Sequence, residues 1–480
     1  MSSTRKNAIY NVAYRMFSIF LPLLTAPYLS RVAGQAGVGL YEYAWSISYV
    51  FCLVGMLGLE NYGVRAIARA KDDRETLSRT FTQIWKMQLL VAGVTLLAWA
   101  VYVAFIAGAE RTISLHLTLM SVSCLVNLDW CLMGLGEFKH IALRNTAVKL
   151  MGAAAVFLLV KGPEDLWVYA LVWSLTTLVG CLSCWWNLRG RVKWVAVPWR
   201  EALRHLGPCA LLFTSVIAVS VYRQMDKVMV GAIAGMAQNG LYASAEKIIY
   251  CLSGFISAIG TVMLPKATRM ASEGKLDKLR GHLRDTMDLM LCMTGALAFG
   301  VAAVAQDFAP LFFGEAFAES GTLMIPLAFT LMMIGWANVI RTQWILPHGR
   351  DKILIQSVCT GAAVNLIVNS LLIPHWGAMG AVIGTLMAEL AVPVVQCLRL
   401  RGELEWRRYL APLMRYSLLG GTMLLVVRGA DALLPFGGWG ALAVEVMLGA
   451  AVYGAGALLI WKRTGNRAAL ALLRRGKKES

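Results

Sequence analysis

The sequence carries little charge for its length. Only 15% of its 480 residues are Asp, Glu, Lys or Arg, whereas 58% are hydrophobic. A soluble chain usually has roughly a quarter of its residues charged. The scarcity of charge therefore excludes an ordinary soluble globular protein and predicts an integral membrane protein.

Acidic residues are the scarcer charged class. There are 27 Asp and Glu against 45 Lys and Arg, which gives a net charge of +18. In a soluble protein such an excess would suggest nucleic-acid binding. In a membrane protein it marks basic cytoplasmic loops that face anionic lipid. We therefore predict no nucleic-acid partner.

Signatures of soluble enzyme sites are absent from the sequence. There is no phosphate-binding GxxxxGK[ST] loop, no GxSxG nucleophile elbow and no HExxH zinc motif. A redox-like spacing, Cys181-x-x-Cys184, lies within an apolar stretch and has no second pair. We interpret both cysteines as small buried hydrophobic residues. The sequence thus predicts neither a metal, nor a cofactor, nor an enzymatic activity.

Long apolar runs dominate the chain instead. A transmembrane helix needs about 20 predominantly apolar residues. The predicted spans are residues 8–29, 39–59, 84–106, 114–134, 147–160, 167–188, 208–231, 239–264, 286–305, 323–346, 355–373, 377–398, 413–429 and 439–461. The predicted fold class is all-α and transmembrane, with about fourteen helices.

Basic residues are distributed unevenly between the two sides of the predicted membrane. With the N-terminus in the cytoplasm, 34 of the 45 Lys and Arg fall in cytoplasmic segments. Those on the other side are Arg31, Arg111, Lys161 and Arg428. Because short basic loops stay inside, this distribution predicts that both termini are cytoplasmic.

A weak internal repeat relates the two halves of the chain. Residues 33–49 and 234–250 agree at 9 of 17 positions at an offset of 201. Each copy covers an external turn and the start of the next span, and six spans separate them. This spacing predicts a parallel repeat of two six-helix lobes. The predicted parts are an N-lobe at 1–188, a cytoplasmic linker at 189–206, a C-lobe at 207–398, and spans 13 and 14 with a basic tail at 399–480.

Ionisable residues within the spans are few. Charge is costly in the bilayer, so such residues mark a cavity or a pair. The cations that we expect to bind a phosphate-bearing substrate are Arg15, Arg223, Lys227, Lys247 and Arg341.

Two acidic residues are candidates for coupling to an ion or a proton. Asp226 shares a face of span 7 with Arg223 and Lys227. A pair between Arg223 and Asp226 would leave Lys227 as excess positive charge. Asp129, in span 4, is the other candidate, and pairing with Arg15 is its structural alternative.

The outer-half charge is expected to be concentrated in the second lobe. Span 7 carries Arg223, Asp226 and Lys227, and in the second copy of the repeat Glu246 and Lys247 stand where the first copy has Trp45 and Ser46. Glu42, in the first copy, is expected to be hydrated near the external surface.

Short motifs in both halves carry a family resemblance. In chain order they are Tyr28-Leu-Ser-Arg31, Gly39-Leu-Tyr41, Tyr62-Gly63-Val-Arg65, Leu346-Pro347-x-Gly349-Arg350 and Gly377-Ala-x-Gly380-Ala-x-x-Gly384-Thr. In this order and spacing they resemble the polysaccharide repeat-unit flippases, the Wzx-like members of the multidrug/oligosaccharidyl-lipid/polysaccharide exporter superfamily.

The resemblance implies two six-helix lobes in a V around a central cavity, often with two extra C-terminal helices. It implies translocation of undecaprenyl-diphosphate-linked oligosaccharide across the bacterial cytoplasmic membrane by alternating access, with cavity cations binding the diphosphate. It places Tyr62, Gly63 and Arg65 in an inner gate. The expected partners are the lipid-linked glycan, membrane lipid, a glycan polymerase and glycosyltransferases. Coupling to Na⁺ or H⁺ is left open.

Three alternatives remain at this point. A peptidoglycan precursor flippase would share the fold. A cation-coupled multidrug exporter usually has twelve spans and an acidic cavity, whereas the bias here is cationic. A membrane glycan polymerase or ligase would be expected to expose a substantial external loop, and the sequence has none.

Overall fold

The computed structural model describes residues 3–433 and 437–465, without the side chains of 3–22, 214–216, 218–219, 221–222 and 407. This part of the chain is helical, and its β-pairing is limited to one isolated bridge between Arg401 and Leu404. Within the same range, ten helical segments are long and apolar enough to cross a membrane. The chain is therefore an all-α, multi-pass membrane protein, as the composition predicts.

The first compact unit comprises residues Met1–Gly240. Its helices are α1 (Ser3–Met56), α2 (Leu59–Ala70), α3 (Arg74–Val101), α4 (Arg111–Val126), α5 (Asp129–Gly134), α6 (Phe138–Leu159), α7 (Leu166–Leu188), α8 (Trp199–Leu203) and α9 (Leu206–Ala234). A π-helical turn at Tyr102–Ile106 extends α3.

The second compact unit comprises residues Leu241–Ser480. Its helices are α10 (Met236–Ser272, which begins in the first unit), α11 (Leu276–Phe313), α12 (Ala318–Ala328), α13 (Thr330–Ile340), α14 (Asp351–Arg399), α15 (Trp406–Asp431) and α16 (Gly438–Thr464). A π-helical turn at Arg341–Ile345 follows α13.

Each of the fourteen predicted spans coincides with helix in the structure. Helix α1 carries the first two spans and is broken at Gly34, whose φ is 66° and ψ is −178°. Helix α14 carries spans 11 and 12 and is broken at Gly377, with φ 54° and ψ −131°. The sequence therefore predicted the number of spans correctly, although the turns inside these pairs are shorter than the predicted gaps.

The repeat has a counterpart in the backbone. Gly34 corresponds to Gly235 at the offset of 201, and Gly235 adopts a φ of 94° and a ψ of 165°. This region of backbone conformation is open essentially to glycine alone. Both copies thus consist of a helix, a one-residue glycine break and a second helix.

Large apolar side chains lie exposed on the surface of each unit. Phe105, Leu158 and Leu211 are exposed in the first unit, and Leu418 and Leu425 in the second. Such extended apolar surface would favour aggregation in water, but it suits contact with lipid tails. The exposure pattern agrees with a membrane environment.

Span 4 is interrupted where the sequence predicts one continuous run, 114–134. Helix α4 ends at Val126 and α5 begins at Asp129. The Gln88 side chain of α3 donates hydrogen bonds to the carbonyl oxygens of Cys124 (2.6 Å) and Asn127 (2.9 Å). A broken helix is tolerated in a membrane because neighbouring side chains satisfy the freed backbone groups in this way.

Helix α11 forms the centre of the second unit, and α15 and α16 pack against it. The Tyr416 hydroxyl of α15 donates to Asp288 Oδ2 at 3.0 Å. The Tyr453 hydroxyl of α16 donates to the Cys292 carbonyl at 2.7 Å. Spans 13 and 14 fall outside the repeat, yet buried hydrogen bonds attach them to α11.

Candidate functional site

Helix α9 runs antiparallel to the second segment of α1 and to α2. Its Lys227 meets Glu42 of α1, whereas His205, just before α9 begins, meets Tyr62 of α2. Partner numbers therefore rise as the numbers on α9 fall. We call this line of contact, between residues 35–62 and residues 205–240, the seam.

One end of the seam is a contact between backbones at two glycines. A Cβ on Gly39 would lie 1.7 Å from the Met236 carbonyl oxygen, and a Cβ on Gly240 would lie 2.0 Å from the Gln35 carbonyl oxygen. These residues correspond pairwise at the offset of 201, so the contact is reciprocal between the two copies of the repeat. Asn239 Nδ2 donates to the Gly39 carbonyl at 2.8 Å. We call this the glycine contact.

A buried ion pair lies next to the glycine contact. Lys227 Nζ is 3.4 Å from Glu42 Oε2, and the two side chains are only 11% and 9% exposed. The ammonium group also lies 5.9 Å from the ring centroid of Trp45. The prediction of a hydrated Glu42 is wrong, and so is the prediction that Lys227 is excess positive charge. The Glu42 carboxylate of α1 faces the lysine, and this partner could not be predicted from the sequence of span 7 alone.

Charged and polar side chains continue along the seam. Asp226 is buried beside Lys227 on α9, and Arg223 of the same helix is exposed. One turn further along the seam, Ser46 Oγ of the first copy donates to Gln224 Oε1 at 3.1 Å. The expectation that the second lobe holds most of the outer-half charge stays a prediction, and Glu42 of the first copy supplies the carboxylate that faces Lys227.

A chain of polar side chains closes the other end of the seam. The Tyr62 hydroxyl lies 2.6 Å from His205 Nδ1, and His205 Nε2 lies 3.1 Å from Gln83 Oε1. Gln83 Nε2 donates to Glu201 at 2.8 Å. Arg79 completes the chain with hydrogen bonds of 2.8 and 2.9 Å to the two oxygens of Glu201. We call this set the Tyr62–His205 network.

The network favours a neutral histidine at His205. If Nε2–H donates to the Gln83 amide oxygen, Nδ1 accepts the proton of the Tyr62 hydroxyl, and this arrangement requires the uncharged ring. Burial lowers the pKa of His205, which favours the same form. Hydrogen bonds from Arg79 and Gln83 hold the pKa of Glu201 below its usual value, so the far end of the network is ionised.

The three residues predicted to form an inner gate have different surroundings. Tyr62 belongs to the Tyr62–His205 network. Gly63 lies against Trp130 of α5, where an added Cβ would come within 2.6 Å of the indole ring. Arg65 is exposed. His205 and Gln83 escaped prediction from the sequence, because their importance comes from contacts between helices that are distant in sequence.

Asp129 is paired with a cation that lies between the predicted spans 114–134 and 147–160. Arg144 lies on α6, and its Nη2 is 2.7 Å from Asp129 Oδ1. The Cys184 thiol also donates to Asp129 Oδ1, at 3.2 Å. The alternative partner, Arg15, lies outside the described side chains. Compensation by Arg144 leaves Asp129 with less reason to bind a free ion.

The remaining predicted cations lie in the second unit. Lys247 is half-buried on α10, and Arg341 is half-buried at the first residue of the π-helical turn after α13. Of the predicted substrate-binding cations with described side chains, Arg223 and Lys227 are the two that lie on α9, in the first unit. Both predicted aspartates, Asp129 and Asp226, belong to the first unit.

Comparisons with known proteins agree with this architecture. A family model described as polysaccharide biosynthesis protein matches residues 4–271. A putative O-antigen transporter of Shigella dysenteriae is 23% identical over 407 residues, covering 81% of this chain and 98% of that protein.

Two solved structures share the fold. The lipid II flippase MurJ in an inward closed conformation is similar with a TM-score of 0.78 at 13% identity, covering 95% of this chain and 99% of that one. An inward-facing multidrug resistance transporter of the MATE family has a TM-score of 0.57 at 15% identity, covering 84% and 99%. The family model spans more than half of the chain. The chain belongs to the polysaccharide biosynthesis protein family, and its fold is shared with these two solved structures.

Proposed function

We propose that this chain is a flippase that moves undecaprenyl-diphosphate-linked oligosaccharide repeat units across the bacterial cytoplasmic membrane by alternating access. The observation that carries the proposal is the seam, which has separate contacts at its two ends and a buried ion pair between them. Such an element can part at one end while the other stays closed. Family membership and the likeness to a putative O-antigen transporter support the substrate class.

The two ends of the seam serve as the two gates in this proposal. The glycine contact is the external gate. The Tyr62–His205 network, with Gly63 and Arg65 beside it, is the inner gate. Both sides of the seam lie in the first compact unit, so each gate opens in this proposal when α9 parts from α1 or α2.

The diphosphate of the substrate replaces the Glu42 carboxylate as the ionic partner of Lys227. A diphosphate carries more charge than a carboxylate and offers more acceptor oxygens, so it competes well for a buried ammonium group. Arg223 lies one helical turn from Lys227, and it is exposed. The proposed set of substrate-binding cations is Arg15, Arg223, Lys227, Lys247 and Arg341. The sugars occupy the hydrated lumen and the prenyl chain stays in lipid.

Asp226 is the first candidate for coupling transport to Na⁺ or H⁺, and Asp129 is the second. Asp226 is buried on the same helix as the exchanging lysine. Loss of the Glu42–Lys227 pair would change the field at Asp226 directly, because the residues are adjacent. The Arg144 guanidinium already compensates Asp129.

Export in cells tests the proposal. The host lacks its own repeat-unit flippase but retains the glycosyltransferases and the polymerase. Expression of this chain should restore surface polysaccharide and remove the lipid-linked intermediate that accumulates inside. R15A and R223A should each reduce export, whereas K139A, at an exposed lysine on α6, should not. Normal export by both R15A and R223A would refute the cationic binding site.

A vesicle assay separates the proposal from its closest rival. Purified protein is reconstituted with either a lipid-linked oligosaccharide or a lipid-linked peptidoglycan precursor, and accessibility of the headgroup to an added hydrolase is followed. Translocation of the oligosaccharide substrate supports the proposal. Translocation of the peptidoglycan precursor alone would contradict it and would identify the chain as a precursor flippase.

A further inference from the structure

Three carboxylates converge in the second unit, at the ends of three helices. Asp307 lies near the end of α11, Asp431 is the last residue of α15, and Glu445 lies in the second turn of α16. One oxygen from each side chain can be chosen such that all three lie within 4.8 Å of one another. We call this group the carboxylate triad. It shares no residue with the seam and goes beyond the proposed function.

Glu445 is the residue that requires an explanation. It is only 1% exposed, and neither of its carboxylate oxygens has a hydrogen-bond partner among the residues that the structure describes. A carboxylate buried without a partner is strongly unfavourable. Its two acidic neighbours make the ionised state worse. A positive ligand or a proton must therefore accompany Glu445.

Arg428 does not meet this need. Its Nη1 lies 2.9 Å from Asp307 Oδ2 and 3.4 Å from Asp431 Oδ2, and its Nη2 donates to Gln306 Oε1 at 2.6 Å. The Arg428 guanidinium thus forms ion pairs with the two aspartates and a hydrogen bond with Gln306. With three carboxylates and one guanidinium, the cluster carries a formal charge of −2 if every group is ionised.

We propose that the carboxylate triad binds a divalent cation, with Ca²⁺ as the best fit. Carboxylate oxygens are the preferred ligands of hard cations, and Ca²⁺ binds oxygen at about 2.3–2.6 Å. Three oxygens at the full 4.8 Å separation would lie about 2.8 Å from a common centre, so a small inward shift brings all three to one Ca²⁺. Mg²⁺ binds oxygen at about 2.0–2.1 Å in strict octahedral geometry, so it would require the triad to contract much further.

The triad is accessible from one side. The Asp307 and Asp431 side chains are 40% and 34% exposed, whereas Glu445 forms the buried base of the site. A hydrated ion can thus approach the aspartates, lose water and bind Glu445. Bound there, the cation would join α11 to α15 and α16, and so fasten spans 13 and 14 to the second unit. The charge distribution of the loops predicts that this end is external, where the cation would enter from outside the cell.

Thermal unfolding of the purified full-length chain in detergent, after EDTA treatment and dialysis, tests the proposal. Saturating CaCl₂ should raise the Tm of the wild type by roughly 3 °C or more, as expected for a ligand that binds only the folded state. MgCl₂ should have a smaller effect. The isosteric variant E445Q should lose the Ca²⁺ response, whereas D277N, at an exposed carboxylate of α11, should keep it.

Direct binding completes the test. Equilibrium dialysis with radioactive Ca²⁺ should give one ion per wild-type chain and none per E445Q chain. D431N is the second variant if E445Q elutes as an aggregate in size-exclusion chromatography. A wild type without a Ca²⁺-dependent Tm shift would overturn the proposal, and a proton shared between Glu445 and Asp431 would then account for the burial. A full Ca²⁺ response in both E445Q and D431N would also overturn it.

Discussion

The two ends of the seam are held closed by different kinds of interaction. At the glycine contact, backbone meets backbone at Gly39 and Gly240, with one amide hydrogen bond from Asn239. At the other end, side chains meet through the Tyr62–His205 network. The first contact depends on shape and is indifferent to pH. The second depends on the protonation of one ring. The seam can therefore respond to different stimuli at its two ends.

Adding one methyl group at the glycine contact should have the largest effect. In G39A the new Cβ would overlap the Met236 carbonyl, so the helices must separate. We expect export to fall at least about tenfold and the free energy of unfolding to fall by about 1–3 kcal/mol. The same export and unfolding assays on G93A provide the control, because a Cβ there meets nothing within 4 Å. Wild-type export by G39A would show that close approach at this end is not needed.

Removing the Glu42 charge should have the next largest effect. E42Q leaves Lys227 without this carboxylate in a poorly hydrated position. The free energy of unfolding should drop by about 3 kcal/mol, in the range known for breaking buried pairs. The double variant E42Q/K227M should recover most of the loss in denaturant titrations. A loss in the double variant as large as the sum of the two single losses would mean that the two side chains do not interact.

Acid should weaken the network end of the seam by about 1 kcal/mol. Because the folded pKa of His205 is lowered, the unfolded chain binds more protons near pH 6, so this contribution is present above the unfolded pKa of about 6.5 and is lost as the pH falls below it. Unfolding midpoints between pH 5 and 8 should show a shallower slope in H205Q than in the wild type. H375Q, at an exposed histidine, should keep the wild-type slope. Equal slopes in H205Q and the wild type would refute this assignment.

The outermost link of the network should matter least. The Arg79 side chain is 56% exposed, and exposed ion pairs contribute about 0–1 kcal/mol. R79A should therefore change the free energy of unfolding by less than about 1 kcal/mol, and high salt should shrink the difference further. A loss above 2 kcal/mol would mean that Arg79 supports the network through packing, and the comparison of the two ends would need revision.

Local features of the sequence predicted the fold well. Span number follows from the lengths of apolar runs, and the repeat aligns Gly34 with Gly235, which the structure shows to be the two breaks. The broken span 4 escaped prediction because Val126, Asn127 and Asp129 lie in one apolar run. The side chains that satisfy the freed carbonyls, Gln88 and Trp185, come from helices distant in sequence.

The candidate site was predicted less well, because its chemistry arises from pairing between helices. Span 7 alone suggested that Lys227 was unbalanced, and only the structure supplies Glu42 as its partner. Likewise, Arg144 lies between two predicted spans in the sequence, and only the structure shows that α6 brings it beside Asp129. Charge inside a span can be found from sequence, whereas its counter-charge depends on tertiary contacts.

Locking the seam chemically shows whether it opens during transport. In a cysteine-free background, one variant carries S46C with Q224C and another carries Y62C with H205C, and a short bifunctional thiol reagent joins each pair. Each single-cysteine variant serves as its own control. Either cross-link should stop polysaccharide export, and cleavage of the linker should restore it, because each end must part once per cycle. Export at the uncross-linked rate from fully cross-linked protein would mean that the seam does not open during transport.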